Sequence, residues 1–455
     1  MPKSKYSPSR ATLTTLQPNA AGADIGAREI YVAVPPDRSD TPVRCFGTFT
    51  DQLRELVAWM QECKITSVAM EATSVYWMPL ADLLEDAKIE VCLVNPRHVK
   101  NVPGRKTDVQ DCQWLQYLHS VGLWRAAFRP PVQVRTIRAL WRHREAMVRQ
   151  SVRHVQHIHK ALDLMNVQIH HVISDITGVT GIAIIEAIIA GQYEPAHLAS
   201  LRDKRIKVDV ATLKRALTGD YRKEHLFCLR QAYESYQFVR AQIAESEREV
   251  ERLQTALCPA PPEHEDQMPT TAPRPVRRVG GKNNPTFDAT GLLKGLCGVD
   301  LTEIPGLSPP TLQTLWTELG HSLAAFPSAK HFASWLSLCP DNRISGGRKL
   351  SVATRATANR VAHALRVAAQ GAGNAHNEIG DFHRRMRFRL GGAAAVTATA
   401  HKLARILYAC LRDKCAYEPT RHALDHPKRR ARMLKKLRQK AKNMGFQLVD
   451  LQSSA

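Results

Sequence analysis

ADIGAREIYVAV, residues 23–34, carries the first clear extended run of the chain. Glu29 to Val34 (EIYVAV) is rich in β-branched and aromatic residues and follows directly on ADIG. Working outward, VRCFGTFT (43–50) supplies a second extended run. DQLRELVAWMQEC, from Asp51, places Leu53, Leu56, Val57 and Met60 on one helical stripe. SVAMEA (67–72) reads as a short apolar strand, Met78 to Asp86 as a helix, IEVCLVN (89–95) as another strand, and a further helix opens near Thr107. Strands, helix, strand, helix, strand, helix: this order predicts an α/β layer with a mixed sheet over residues 20–130, behind an N-terminal tail (1–19).

Four carboxylates fall at the ends of these elements. Asp24 lies within ADIG, Glu71 ends the SVAMEA strand, and Asp108 and Asp111 stand three apart in KTDVQDCQWL, on one face of the helix after the last strand. Singly, such residues serve as helix caps or solvated charges. Gathered, they repel one another, and a hard cation among them relieves the repulsion. Oxygen-only ligands suit Mg²⁺ or Mn²⁺ rather than zinc. Two such ions can clamp the attacking and leaving oxygens of a phosphodiester.

Beyond residue 130 the pattern turns helical. Trp141, Val148, Val155 and Leu162 recur every seven residues, as do Tyr236, Ile243, Val250 and Leu257. These seams predict a coiled-coil hairpin, a dimer contact, or packing within one larger bundle over 131–257; Arg144 and Ser151 interrupt the first of them. Two glycine turns, in DITGVTGIAIIEAIIAG (175–191) and EIPGLSPPTLQTLWTELG (303–320), read either as helix corners or as backbone aimed at phosphate. Residues 258–290 are rich in Pro and polar residues and read as a linker or long loop. A mostly helical domain over 291–420 follows, then a basic tail (421–455) whose helix HPKRRARMLKKLRQKAK either tracks a phosphate backbone or is simply solvated.

The chain's 64 Lys and Arg against 42 Asp and Glu leave a formal charge of +22, which points to a polyanionic partner. No run of about 18 apolar residues would span a bilayer, so a membrane is not the expected partner. The N-terminal residues have no apolar core of a secretory signal, and the ten cysteines include no CxxC pair, so reduced thiols in a cytosolic, nucleoid-associated bacterial protein are expected. A histidine cluster (His154, His157, His159, His170, His171) has no paired Cys or Glu in register to complete a zinc site.

With these residues in view, the chain resembles the insertion-sequence transposases written IS-one-ten and IS-eleven-eleven. ADIG, MEATSVYW, LVNPRHVKNVPGRKTDVQDCQWL and GLWRAAFRPP are similar to that family's RuvC-like domain of ribonuclease-H fold. GVDLTEIPGLSPPTLQTLWTELG, HFASWLSLCPDNRISGGRK and AVTATAHKLARILYACL resemble its C-terminal serine transposase domain. The resemblance implies a first strand through ADIG, which periodicity alone does not show. It assigns the family's DEDD set to Asp24, Glu71, Asp108 and Asp111, as metal ligands and catalytic residues. It makes Ser345, before Gly346 and Gly347, a nucleophile toward DNA, although a Ser-Gly-Gly on its own reads as a turn.

The resemblance further implies a DNA transposase or recombinase that cuts and rejoins strands through a composite site, guided by a non-coding bridge or seek RNA, and acting as a homodimer or tetramer. Candidate nucleic-acid contacts are Arg105, Lys106, Arg343, Arg348, Lys349, Arg355, Arg360, Arg384 and Arg385. Two other readings stay open: a metal-dependent hydrolytic nuclease of junction-resolvase type, and a non-catalytic nucleic-acid-binding protein.

Overall fold

The computed structural model describes residues 14–72, 74–94, 107–124, 126–258, 281, 283–351, 353–419 and 427–447. The chain divides into two compact units, Met1–Arg129 and Pro130–Ala455. Most of the Pro-rich segment expected over 258–290 lies outside the described residues.

In the first unit a five-stranded sheet has the order β3-β2-β1-β4-β5, built from β1 (Ala20–Ile25), β2 (Glu29–Ala33), β3 (Val43–Gly47), β4 (Ser67–Glu71) and β5 (Glu90–Val94). β1 pairs antiparallel with β2 and parallel with β4, and β5 extends the parallel half. The central strand is the one without β-branched periodicity: its AAGADI is small because helices press on both faces.

Side chains alternate across the pleat. Ala21, Ala23 and Ile25 of β1, with Val68 and Met70 of β4, join Leu53, Leu56, Met60, Leu80 and Leu84 in one core. That core lies under α1 (Thr50–Glu62) and α2 (Trp77–Asp86). Thr50, at the end of the extended run read from sequence, instead opens α1. The opposite face, with Ala69, Cys92 and Val94, packs on Leu115 of α3 (Asp108–Ser120). Asp24 and Glu71 therefore share the α3 side with Gly22 and Ala69, each two residues before them.

In the second unit α4 (Val132–Leu164) and α8 (Lys223–Leu257) run antiparallel along one another, as their contacts at Arg144–Glu247 and Met147–Val239–Ile243 require. Between them in sequence lie α5 (Val179–Ile189), α6 (Pro195–Ser200) and α7 (Val210–Ala216), whose Ile184, Ile188, Leu198 and Leu213 share a core with Ile158, Leu162 and Tyr233. Arg144, which breaks the apolar seam, is buried and bonds Glu247 at 2.7 and 2.9 Å; Glu247 also accepts from the Thr286 amide and hydroxyl. The seam's other interruption, Ser151, donates to the Val148 carbonyl at 2.8 Å.

The helices that follow are α9 (Ala289–Cys297), α10 (Pro309–Leu319), α11 (Ala329–Trp335), α12 (Arg360–Gly373), α13 (Glu378–Leu390), α14 (Gly392–Asp413) and α15 (Pro427–Asn443). A hairpin, β6 (Arg343–Ser345) and β7 (Arg348–Ser351), interrupts them. Both glycine turns are helix corners built the same way. Asp175 accepts from Thr177, and Asp300 from Thr302, through amide and hydroxyl alike. Gly181 and Gly306 are there for packing: a Cβ would stand 2.1 Å from the Ile176 carbonyl oxygen and 2.6 Å from that of Ala368. Among the described residues, no helix is long and apolar enough to cross a membrane.

Candidate active site

Asp108 and Asp111 are brought near Asp24 because α3 is held against the sheet at three points. At its C-terminal end the buried His119 Nε2 and Ser67 Oγ are 3.0 Å apart, and burial holds the imidazole pKa below its usual value. Midway, Gln116 donates to the Ala20 carbonyl at 3.2 Å. One turn nearer the N-terminus the helix backbone lies directly on Gly22, where a Cβ would stand 2.2 Å from Gln116 N and 2.4 Å from Cys112 O. Only glycine lets the helix approach so closely. Thr107 caps it, its hydroxyl accepting from the Gln110 amide at 3.3 Å, so that Asp108 and Asp111 occupy the first helical turn. Anionic side chains are favoured there by the helix dipole, which lets the fold hold them near other carboxylates.

With α3 so placed, its first turn lies over the C-terminal ends of the parallel strands. Ala23 is in register with Met70, so Asp24 and Glu71 follow side by side on adjacent strands. The electrostatics register the convergence. Asp24 is pushed up to about 6, first by burial and then by the negative charges of Asp108, Asp111 and Glu71. A cleft of about 500 Å³ opens at this end, lined by Asp24, Asp108, Arg28, Glu29 and Tyr31.

Of the four acids, Asp24 and Asp108 line this cleft, and carboxylate oxygens of this kind suit a hard divalent cation in their chemistry. Among the described residues no three carboxylate, histidine or cysteine side chains are grouped so as to hold a metal ion. The same holds for the histidine cluster: His170 faces Asp163 at 3.3 Å, and its ring lies tilted against that of His171, without a metal-holding group among the described residues.

Ser345 sits elsewhere, in the second unit, as the last residue of β6. Gly346 and Gly347 form a two-residue turn with φ of 53° and 75°, and Ser345 pairs across it with Arg348. Positive φ at both turn positions is the type I′ geometry that matches strand twist, and it selects glycine. A Cβ at either glycine would touch nothing within 4 Å. The hydroxyl is thus presented on an exposed tip beside the exposed Arg348. Ser351, by contrast, is half-buried, its Oγ accepting from the Ala353 amide at 3.3 Å.

The structure sorts the candidate basic contacts. Arg343 and Lys349 lie in β6 and β7 around Ser345, while Arg105 and Lys106 are outside the described residues. Arg355 is exposed, donating to the Ser334 carbonyl at 3.0 Å. Arg360 is committed internally, paired with Glu145 and with Glu318 at 3.2 Å. Arg384 is likewise occupied, donating to Asp381 at 2.5 Å and to the carbonyls of Gly373 and Ala375. Arg385 is exposed, with one bond from Nε to the Asp381 carbonyl. Gly22, Ser67 and His119, which place the helix that carries two of the acids, were not among the sequence candidates. Their one sequence signal is a glycine two residues before Asp24.

A sheet of this order, with acidic residues on its central strand, on the neighbouring parallel strand and at the start of the helix packed across them, defines a RuvC-like DEDD domain. Residues 21–167 match the DEDD transposase domain of the IS110 group, described as Transposase, and residues 300–384 match the family described as Transposase IS116/IS110/IS902. The chain belongs to the IS110 family of insertion-sequence transposases. No curated protein matches it. Membership makes it a transposase, with DNA recombination as its activity class, and its DEDD domain implies a divalent metal cofactor.

Proposed function

We propose that this transposase cuts and rejoins DNA strands with Asp24, Glu71, Asp108 and Asp111 as ligands of Mg²⁺ or Mn²⁺ and Ser345 as nucleophile. The observation that carries the reading is the placement of Asp24 and Glu71 side by side on adjacent strands, with Asp24 pushed up first by burial and then by the charges of Asp108, Asp111 and Glu71. A divalent cation held there supplies Lewis-acid charge for the phosphate oxygens. Ser345 Oγ attacks phosphorus, a Ser–O–P bond forms, and the P–O bond to the departing strand breaks. The departing oxygen takes up a proton, and the phosphoserine ester keeps the bond energy for rejoining. Arg348, paired with Ser345 across the turn, is suited to orient the phosphate.

Guidance by a non-coding bridge RNA, and assembly as a homodimer or tetramer, belong to the same proposal. The +22 charge without a dedicated base-reading motif supports the former. A hydrolytic, junction-resolvase-like reading is favoured by one feature: among the described residues no side chain hydrogen-bonds Ser345 to act as its base.

The two readings separate on denaturing gels with labelled DNA and Mg²⁺ or Mn²⁺. Asp24→Ala and Asp111→Ala are expected to abolish cleavage while nucleic acid still binds. Ser345→Ala is expected to lose both the covalent protein–DNA adduct and strand exchange, and Ser351→Ala to retain them. Cleavage at the wild-type rate by Ser345→Ala, with no adduct in any sample, establishes the nuclease instead.

A further inference from the structure

The packing of α13 ends abruptly. Its first half is anchored: Ile379 and His383 are buried, and His383 Nδ1 and Thr399 Oγ1 of α14 are 3.1 Å apart. From Arg384 onward only Met386 is even half-buried, and the exposure continues through Gly391 and the first turn of α14 to Ala394. RRMRFRLGGAA (384–394) is thus the projecting tip of a helical hairpin. It carries four arginines and no carboxylate. Phe388 stands on it 96% exposed, with Leu390 beside it at 49%.

A phenylalanine left almost wholly in water contributes nothing to folding, since it gains no burial. It lies one helical turn beyond Arg384 and Arg385, on the side away from Ile379 and His383. Arg384 is held by Asp381 and two carbonyls, which leaves Arg385, Arg387 and Arg389 around the ring as exposed cations. Gly391, Gly392 and Ala393 add no bulk at the apex, and a Cβ at either glycine would meet nothing within 4 Å.

We infer that this tip binds an unpaired stretch of nucleic acid, with a base stacked on Phe388 and the flanking phosphates on Arg385, Arg387 and Arg389. Charge selects a polyanion. The open ring selects a base whose face is uncovered, which a continuous duplex does not offer. A second copy of the chain docked tip to tip would set arginines against arginines. The inference rests on nucleic acid being the partner, but not on Ser345 or the carboxylates. Its test reads binding without cleavage, so either assignment can fail alone.

The experiment uses the full chain in EDTA, with fluorescence anisotropy on labelled single-stranded RNA, single-stranded DNA and blunt DNA duplex, each about 20 nucleotides long. Phe388→Ala is expected to weaken single-strand binding about tenfold while changing duplex binding by less than about threefold. Phe388→Trp retains affinity, and Phe388→Leu, apolar but without a π face, does not. Replacing Arg385, Arg387 and Arg389 together by Gln lowers the slope of log K against log salt by about 2 on single strands. The RNA and DNA arms show which strand the tip takes. Single-strand affinity of Phe388→Ala within about twofold of wild type, equal losses on duplex, or full affinity in Phe388→Leu each overturn the inference. So does a change of oligomeric mass in Phe388→Ala with single-strand affinity intact, which makes the tip a protein contact.

Discussion

Asp24→Asn is expected to make the protein more stable and inactive. In the native state burial and the charges of Asp108, Asp111 and Glu71 raise Asp24 from 3.8 to about 6, so its ionised form costs folding free energy at neutral pH. Two pKa units correspond to about 3 kcal/mol; screening of a half-buried carboxylate reduces this to about 1–2 kcal/mol. Because the folded state holds the proton more tightly than the unfolded chain, the cost is absent below about pH 4. It grows as pH rises towards 6 and is fully present above it. Asparagine keeps the shape and removes the charge. Thermal unfolding at pH 7.5 should therefore shift up by about 4–8 °C for a unit of this size, and by nothing at pH 4. Adding Mn²⁺ in the same assay should raise the wild-type midpoint and move the variant less, since one ligand is gone. A variant that unfolds below wild type at pH 7.5, or that keeps the wild-type slope between pH 4 and 6, refutes the argument that burial and the neighbouring charges penalise ionised Asp24.

Two other outcomes follow from packing. Gly22→Ala drives a methyl group into the backbone of α3 at Gln116 and Cys112, and should cost about 1–3 kcal/mol in urea unfolding. It should also lower metal-dependent cleavage, because the helix carrying Asp108 and Asp111 is displaced. Glu247→Gln leaves Arg144 buried without its counter-charge and should cost about 3–5 kcal/mol, measured by the same unfolding assay.

Much of the first unit was legible in the residues themselves. EIYVAV, SVAMEA and IEVCLVN show their strands because they are short runs of β-branched, aromatic and other apolar residues, and Leu53, Leu56, Val57 and Met60 show α1 because apolar residues repeat with the helical turn. The acids at element ends and the surplus of positive charge are likewise properties of the chain alone. β1 was different. AAGADI has no periodicity to read, because a central strand covered on both sides needs small residues, and only resemblance placed a strand there.

What depends on distant contacts was decided by tertiary structure. Arg144 and Ser151 interrupt an apolar seam in one dimension; in three, Arg144 faces Glu247 from 103 residues away and becomes a buried ion pair. Arg360 and Arg384 carry the same charge as Arg385, yet carboxylates pair with the first two, while Arg385 makes a single bond to a backbone carbonyl. Four acidic residues spread from 24 to 111 are a list of charges until α3 lies on Gly22. A glycine records only that something comes close, and the fold determines that the neighbour is a helix opening with two aspartates. Local sequence sets local conformation because neighbours along the chain always interact, whereas a side chain's charge state and availability depend on partners that only folding brings near.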